Sequence, residues 1–467
     1  MRNLKLLKLI CFLMFIGISN SRLCYSQGSS NNTLLLKEKV EMISEYWKET
    51  SYNYCNPQKL VNIKWDSLYI QYLDQVIQCK NDLEYYLILQ KFAAEINDGH
   101  SLIWNYDIFS KFAYFDYLPL IPYMADGKLF VMGISSSLIT IIPLGSEIIQ
   151  IGNMHPKDYM DKNIIPLVSG STKQGKIYSS MQYLTWGNPS DSLKFQFLTP
   201  NGKVVNQYLH YNAKSSNLKM NGNFKFLSTF FDSKNDEYKL LNDSILYLRV
   251  NSFNNRKAIS YLINRYQEVK NAKGIIIDLR YNRGGNEQIA DSLLICFLNI
   301  DTLFTYKSVT RKHNAFYAAQ GYGNKKYADY YLNRMTDTLD VDTIIKGELP
   351  FLNQPLVILI GNETCSAAED LLIVLKEKYP TRAILLGEPT SGTTGAPLVK
   401  YFKNGGFYKI CTRMPITEYG IFENGIKPDF FYSKKLIEYT SGKDEIIEIA
   451  KKNLKNNKAN PYFYEGK

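Results

Sequence analysis

Three short runs of this chain, residues 274–279, 355–360 and 383–387, are apolar with almost no alternation, and helix-forming sequence separates them. A strand with one wet face alternates apolar and polar side chains, so runs of this kind demand cover on both faces. They predict a mainly parallel sheet between layers of helices, that is, an α/β core. Residues 244–250 read as a further strand. Residues 257–271, 289–297 and 367–378 carry the helical periodicity that supplies the cover. Residues 302–353 are polar and tyrosine-rich, fit this alternation poorly, and read as an insertion over the core.

A chain of 467 residues exceeds one ordinary core, and its remainder differs in character from the α/β part. Residues 34–97 are helical in pattern, with Tyr85, Ile88, Leu89, Phe92, Ala93 and Ile96 at three and four spacing. From about residue 115 to 212 short β-type runs follow, divided by turn signals such as Pro200-Asn-Gly202. The expected division is a leader over 1–26, a helical region over 27–112, a β-rich domain over 113–212, a linker over 213–240, the α/β core over 241–435 and a helical tail over 436–467.

The first residues set the compartment. Arg2, Lys5 and Lys8 precede the apolar run 9–18, and small and polar residues lead to Ser26 and Gln27. This is the pattern of a secretory signal peptide, with an apolar run too short for a membrane span. Export to the periplasm or the medium is expected. Leu23 before Cys24 is not the small residue a bacterial lipid anchor requires, which favours simple cleavage. Cleavage after Ser26 removes Arg22 as well and lowers the formal charge from +11 to about +7. The surplus is scattered over lysines without a basic stripe, which argues for solubility and against nucleic-acid binding. The cysteines show no CxxC and no His/Cys pair at ligand spacing, so no structural zinc is expected. Cys55 and Cys79 flank a helical segment and could pair in an oxidising compartment.

Three segments carry residues suited to chemistry. Ser366, in Gly361-Asn-Glu-Thr-Cys-Ser-Ala-Ala-Glu369, stands between an apolar strand and a helix, where free N–H groups favour a developing oxyanion. Ser366 to Glu369 is equally the S-x-x-E capping box of an ordinary helix start. Gly284 and Gly285 end another apolar strand before a helix, where glycines allow close backbone approach or simply a turn. Asp98-Gly-His-Ser101 closes the helical region, and His100 alone of four histidines lies between a glycine and a second hydroxyl residue.

Taken in order, these segments resemble the tail-specific, or C-terminal-processing, serine peptidase family: a DGH motif, a PDZ module, a DLRxNxGG strand end, then a T-x-S-A-x-E nucleophile turn. Gly387-Glu-Pro-Thr-Ser-Gly-Thr-Thr394 and Glu423-Asn-Gly-Ile-Lys-Pro-Asp429 extend the resemblance, which covers about residues 85–430. It implies a PDZ-like β-rich domain before the peptidase core, although the usual carboxylate-binding Gly-Leu-Gly-Phe loop is not evident. Processing peptidases of the family use a Ser–Lys dyad, and here Thr393 stands where the lysine belongs. A threonine hydroxyl is far too weak a base to replace it. The resemblance is therefore to the tricorn branch, which uses His. It implies Ser366 as nucleophile, His100 as general base, Ser101 as bridging hydroxyl and Glu423 as the carboxylate that completes the relay by contacting Ser101. Backbone N–H groups of Ala367 and of Gly284 or Gly285 would form the oxyanion hole. The implied activity is a serine endopeptidase acting on unfolded or C-terminal peptide segments, without metal or organic cofactor. The alternative is a catalytically inactive peptide- or lipid-binding protein on the same fold.

Overall fold

The computed structural model describes residues 34–104, 116–187, 191–212, 224–227, 235–403 and 405–456. The expected signal peptide and Cys24 lie outside these residues, as does most of the expected linker. Among the described residues no helix is long and apolar enough to cross a membrane.

The described residues open on three main helices, α1 (Leu36–Asn53), α2 (Trp65–Gln78) and α3 (Asp82–Ala94). Asn81 starts α3 by accepting the Glu84 N–H. The helices meet through large rings: Trp65 stacks on Phe92 at 4.2 Å, and Tyr46 packs edge-on to both. After α3 the chain turns through residues 95–101 into the short strand β1 (Leu102–Trp104).

A β-rich unit follows, with β2 (Leu120–Ala125), β3 (Lys128–Ser135), β4 (Glu147–Ile151), helix α4 (Lys173–Leu184), β5 (Ser192–Leu198) and β6 (Val204–His210). The strands form one antiparallel sheet in that order. Asp126 and Gly127, both at positive φ, make the tight β2–β3 turn. Met181 and Leu184 of α4 join Val131, Ile151, Phe195 and Phe197 in this unit's own apolar core.

The main elements that follow are β7 (Glu237–Leu240), β8 (Ile245–Arg249), α5 (Lys257–Asn264), β9 (Gly274–Asp278), α6 (Glu287–Leu294), β10 (Leu356–Ile360), α7 (Ala367–Lys378), β11 (Ala383–Gly387), β12 (Pro397–Tyr401), β13 (Phe407–Cys411), β14 (Phe430–Phe431) and α8 (Glu445–Asn456). The central sheet has the order β7-β8-β9-β10-β11-β14 among the described residues, and every pairing after β7–β8 is parallel. Its alternate residues feed two cores. Ile275, Ile277, Leu356 and Ile358 meet Leu371, Leu375 and Leu293 on one face, whereas Ile276, Val357 and Leu359 meet Ile446, Ala450 and Leu454 of α8 on the other. This two-sided cover is what the unbroken apolar strands require. At the end of β9 the buried Asp278 carboxylate takes Arg280, whose guanidinium also grips Asp444 beside α8. Burial pushes Asp278 up, yet Arg280 outweighs it and holds the carboxyl down at about 2.

The structure corrects the sequence reading in three places and decides one pairing that the sequence left open. Residues 237–240 of the expected linker are the edge strand β7, and Phe224–Phe226 pairs with β3. The helix expected over 257–271 is two, α5 and Tyr266–Val269. Part of the expected insertion is tied into the core, since Ser308–Arg311 pairs with Met414–Thr417. Cys55 and Cys79 are free thiols: Cys55 N–H donates to the Cys411 carbonyl at 3.0 Å, while Cys79 Sγ donates to the Val76 carbonyl.

Candidate active site

Because β9 and β10 are adjacent and parallel, the turns that follow them emerge at the same end of the sheet. The turn after β10 carries Ser366 and the turn after β9 carries Gly284 and Gly285. Ser366 adopts φ 56° and ψ −133°, a conformation a residue with a Cβ holds only under constraint. Two anchors impose it: Ser366 N–H donates to the Thr393 carbonyl at 2.6 Å, and Cys365 N–H donates to the Asn282 carbonyl at 3.0 Å.

The side chains of the S-x-x-E segment do not form a capping box. Ser366 Oγ makes no cap bond, and Glu369 turns away to accept the N–H groups of Gly392 and Thr393, each at 2.7 Å, and the Thr390 hydroxyl. Burial pushes the Glu369 carboxyl up to about 8 in spite of these three donors. Glu369 thereby ties the Thr-Ser-Gly-Thr loop to the first turn of α7.

Ser366 Oγ instead lies 3.3 Å from His100 Nε2, a contact between residues 266 positions apart in the chain. Both side chains are nearly buried, 6% and 7% exposed. His100 is delivered by the tight turn Asp98–Ser101, in which the buried Asp98 carboxylate accepts the His100 N–H at 2.7 Å and the Ser101 hydroxyl at 3.2 Å. Gly99 lies against Thr393, where a Cβ would sit 2.5 Å from the threonine Oγ1 and Cγ2. The turn that brings in the histidine is thus seated on Thr393.

Burial, and after it the nearby Lys409 ammonium, lowers His100 to about 3. The ring is neutral at working pH, as a base must be. It follows that kcat/KM should stay level as pH falls through 6.5, where an unperturbed histidine would shut activity off. An acid limb at the ordinary histidine value in a pH–rate profile would contradict this environment for His100.

The four-residue relay is corrected by the structure. Within β1 Leu102 and Trp104 share one face and Ile103 the other, while His100 and Ser101 belong to the turn before it. Ser101 is fully buried and its hydroxyl accepts the Cys411 N–H at 3.0 Å while donating to Asp98. Glu423 does not meet it. The Glu423 carboxylate accepts Asn56 Nδ2 at 3.2 Å and Lys59 Nζ at 3.1 Å, so it bonds to the N-terminal helical region. The acid at Ser101 is Asp98, quoted within its motif but given no role by sequence reasoning. His100 Nδ1 has no hydrogen-bond partner among the described residues.

The two glycines divide their tasks. Gly284, at φ +89°, lies so close that a Cβ there would fall 2.5 Å from Ser366 Cβ and 2.9 Å from Ala367 N. Its own N–H is taken by Asn282 Oδ1 at 2.7 Å, which removes it from the candidate oxyanion donors. The N–H groups of Gly285 and Ala367 carry no such bond among the described residues. Ala367 also opens α7, whose N-terminal dipole end favours negative charge.

A cleft of about 260 Å³ opens on His100, Cys365 and Thr393. Trp104, Tyr183 and Trp186 form an aromatic wall, with ring centroids 4.7 to 6.5 Å apart. Lys409 also lines the cleft and had no place in the sequence reading. No group of three or more His, Cys, Asp or Glu among the described residues is arranged to hold a metal ion.

Comparison with known proteins bears on the fold and on one segment of the chain. Residues 244–431 match the model of peptidase family S41. Mature CPAF has a similar structure, with a TM-score of 0.67 and 14% identity over 91% of this chain and 99% of that one. CPAF complexed with lactacystin gives a TM-score of 0.65 and 13% identity over 90% and 99% of the two chains. A protein of Parabacteroides merdae ATCC 43184 gives 0.50 and 18% over 91% and 97%. At these identities the likeness is one of fold. No curated protein matches the chain in sequence.

Proposed function

We propose that this chain, which carries a serine-type peptidase domain of family S41, is an exported endopeptidase that cleaves unfolded or C-terminal peptide segments through Ser366 and His100. The observation that carries the pairing is the 3.3 Å approach of Ser366 Oγ to His100 Nε2, made by a serine in a strained turn at a helix start. Strain of this kind costs about 1–3 kcal/mol and persists where the surroundings over-determine it.

In the proposed reaction Ser366 Oγ attacks the scissile carbonyl carbon as its proton passes to His100 Nε2. The carbonyl oxygen takes up the negative charge between the N–H groups of Ala367 and Gly285. Collapse breaks the C–N bond, the leaving amine takes the proton from His100, and an ester remains on Ser366. Water then gives a proton to His100 and attacks the ester, and the acid product leaves as Ser366 regains its proton. Asp98 is a positioning residue, since it holds the backbone of the turn and touches no reacting atom. The β-rich unit is read as a PDZ-like module that presents a peptide by strand addition. Export rests on the basic and apolar start of the sequence.

The test is digestion of a reduced, carboxymethylated protein, with products read by mass spectrometry and the Ser366→Ala variant as the blank. New peptides from the parent protein alone are expected. Identical products from both, or none from either, would remove the peptidase reading.

A further inference from the structure

One wall of the cleft that holds His100 is built by strand pairing between distant parts of the chain. Leu102 lies directly across from Lys409 and Trp104 across from Phe407 in the antiparallel β1–β13 pair. Opposed residues in such a pair project from the same face, and all four line the cleft that holds His100. Three of the four are apolar. The fourth is a cation.

Lys409 is half-buried, and among the described residues burial alone shifts its ammonium, with no carboxylate contributing. Its ammonium lies 5.8 Å from the centroid of the Phe407 ring. The other cation of the cleft, Arg283, is neutralised by Glu363 through bonds of 3.0 and 2.7 Å. Burial lowers Lys409 from the ordinary lysine range, the expected result for a charge stripped of water without a counter-ion. An ammonium held in an apolar cleft is costly unless an anion completes it, and substrate is the component that enters this cleft.

We infer that Lys409 is a specificity-determining residue that receives a carboxylate of the bound peptide beside the scissile bond. The inference rests on the peptidase reading of the same cleft and names the substrate class: peptides carrying negative charge close to the cleavage point. The carboxylate can be the free chain terminus or an acidic side chain, and both present the same chemistry to the ammonium.

The test measures binding, so it does not depend on turnover. In the Ser366→Ala background, fluorescence anisotropy follows a fluorescein-labelled apolar hexapeptide in three forms: free C-terminal acid, C-terminal amide, and amide with one Glu placed at each position in turn. Binding of at least one charged form should be about 10- to 100-fold tighter than the neutral amide, the usual range for a charge-assisted bond. Preference for the free acid alone identifies the chain terminus as the source, and preference for a Glu position identifies a side chain. Adding Lys409→Met should collapse the ratio to about one, Lys409→Arg should keep most of it, and Lys409→Glu should reverse it. Equal binding of all forms, or a ratio that survives Lys409→Met, overturns the inference. Cleavage by the parent protein that depends on Ser366 but ignores charge would remove this inference alone. Charge-selective binding without any Ser366-dependent cleavage would remove the peptidase reading alone.

Discussion

Replacing His100 with Gln lowers kcat by about 10⁴-fold or more and changes KM far less. Glutamine keeps much of the ring's volume in the buried turn but cannot accept a proton from Ser366 Oγ, 3.3 Å away. The loss therefore falls on the transition state and leaves ground-state binding largely intact. Residues that act as one unit are not additive, so the double variant with Ser366→Ala should be no less active than Ser366→Ala alone. Steady-state kinetics on one peptide measures all three variants. A His100→Gln enzyme within about tenfold of the parent would mean that another group takes the proton.

Gly284→Ala has the second largest expected effect, and it arises from geometry. The new methyl would sit 2.5 Å from Ser366 Cβ and 2.9 Å from Ala367 N. Contacts that short do not occur, so the nucleophile turn must shift, and a displacement near 1 Å costs about 10²-fold in rate. Overpacking of this order also costs about 1–3 kcal/mol of stability. Gly127→Ala is the matched control. Gly127 has a similar φ, +72° against +89°, but a Cβ there meets nothing within 4 Å. It should carry only the backbone penalty of about 1 kcal/mol and keep full activity. Comparable loss of kcat in both variants would show that backbone strain, and not the approach to Ser366, sets the effect.

The parts of the molecule that were legible in the sequence are those fixed by local pattern. Residues 274–278 and 356–360 are buried throughout, so burial on both faces was written in their composition. The strand-to-helix setting of Ser366 was visible for the same reason, but its φ of 56° was not, because the bonds that impose it come from Asn282 and Thr393. The edge strand β7, Glu-Tyr-Lys-Leu, escaped because an edge strand with no fully buried residue looks like linker. Glu423 was misplaced because the position of its segment is set by Asn56 and Lys59, far away in the chain. Ser101 was given a bridging role that its bonds to Asp98 and Cys411 exclude, and the Cys411 bond spans too much of the chain to be read from local sequence. Asp98 could have been found from local sequence, since an Asp two residues before an N–H it accepts is a common turn device. Lys409 could not, because only the β1–β13 register brings it into the cleft.

The central claim is that Ser366 is a nucleophile activated by His100, and fluorophosphonate labelling tests it most directly. The native protein is treated with the reagent, digested, and the adduct located and timed by mass spectrometry. The account predicts a single adduct on Ser366, none in Ser366→Ala, and labelling slowed by about 10²-fold or more in His100→Gln. An intact Ser366 after prolonged treatment, or a labelling rate unchanged by His100→Gln, would contradict it.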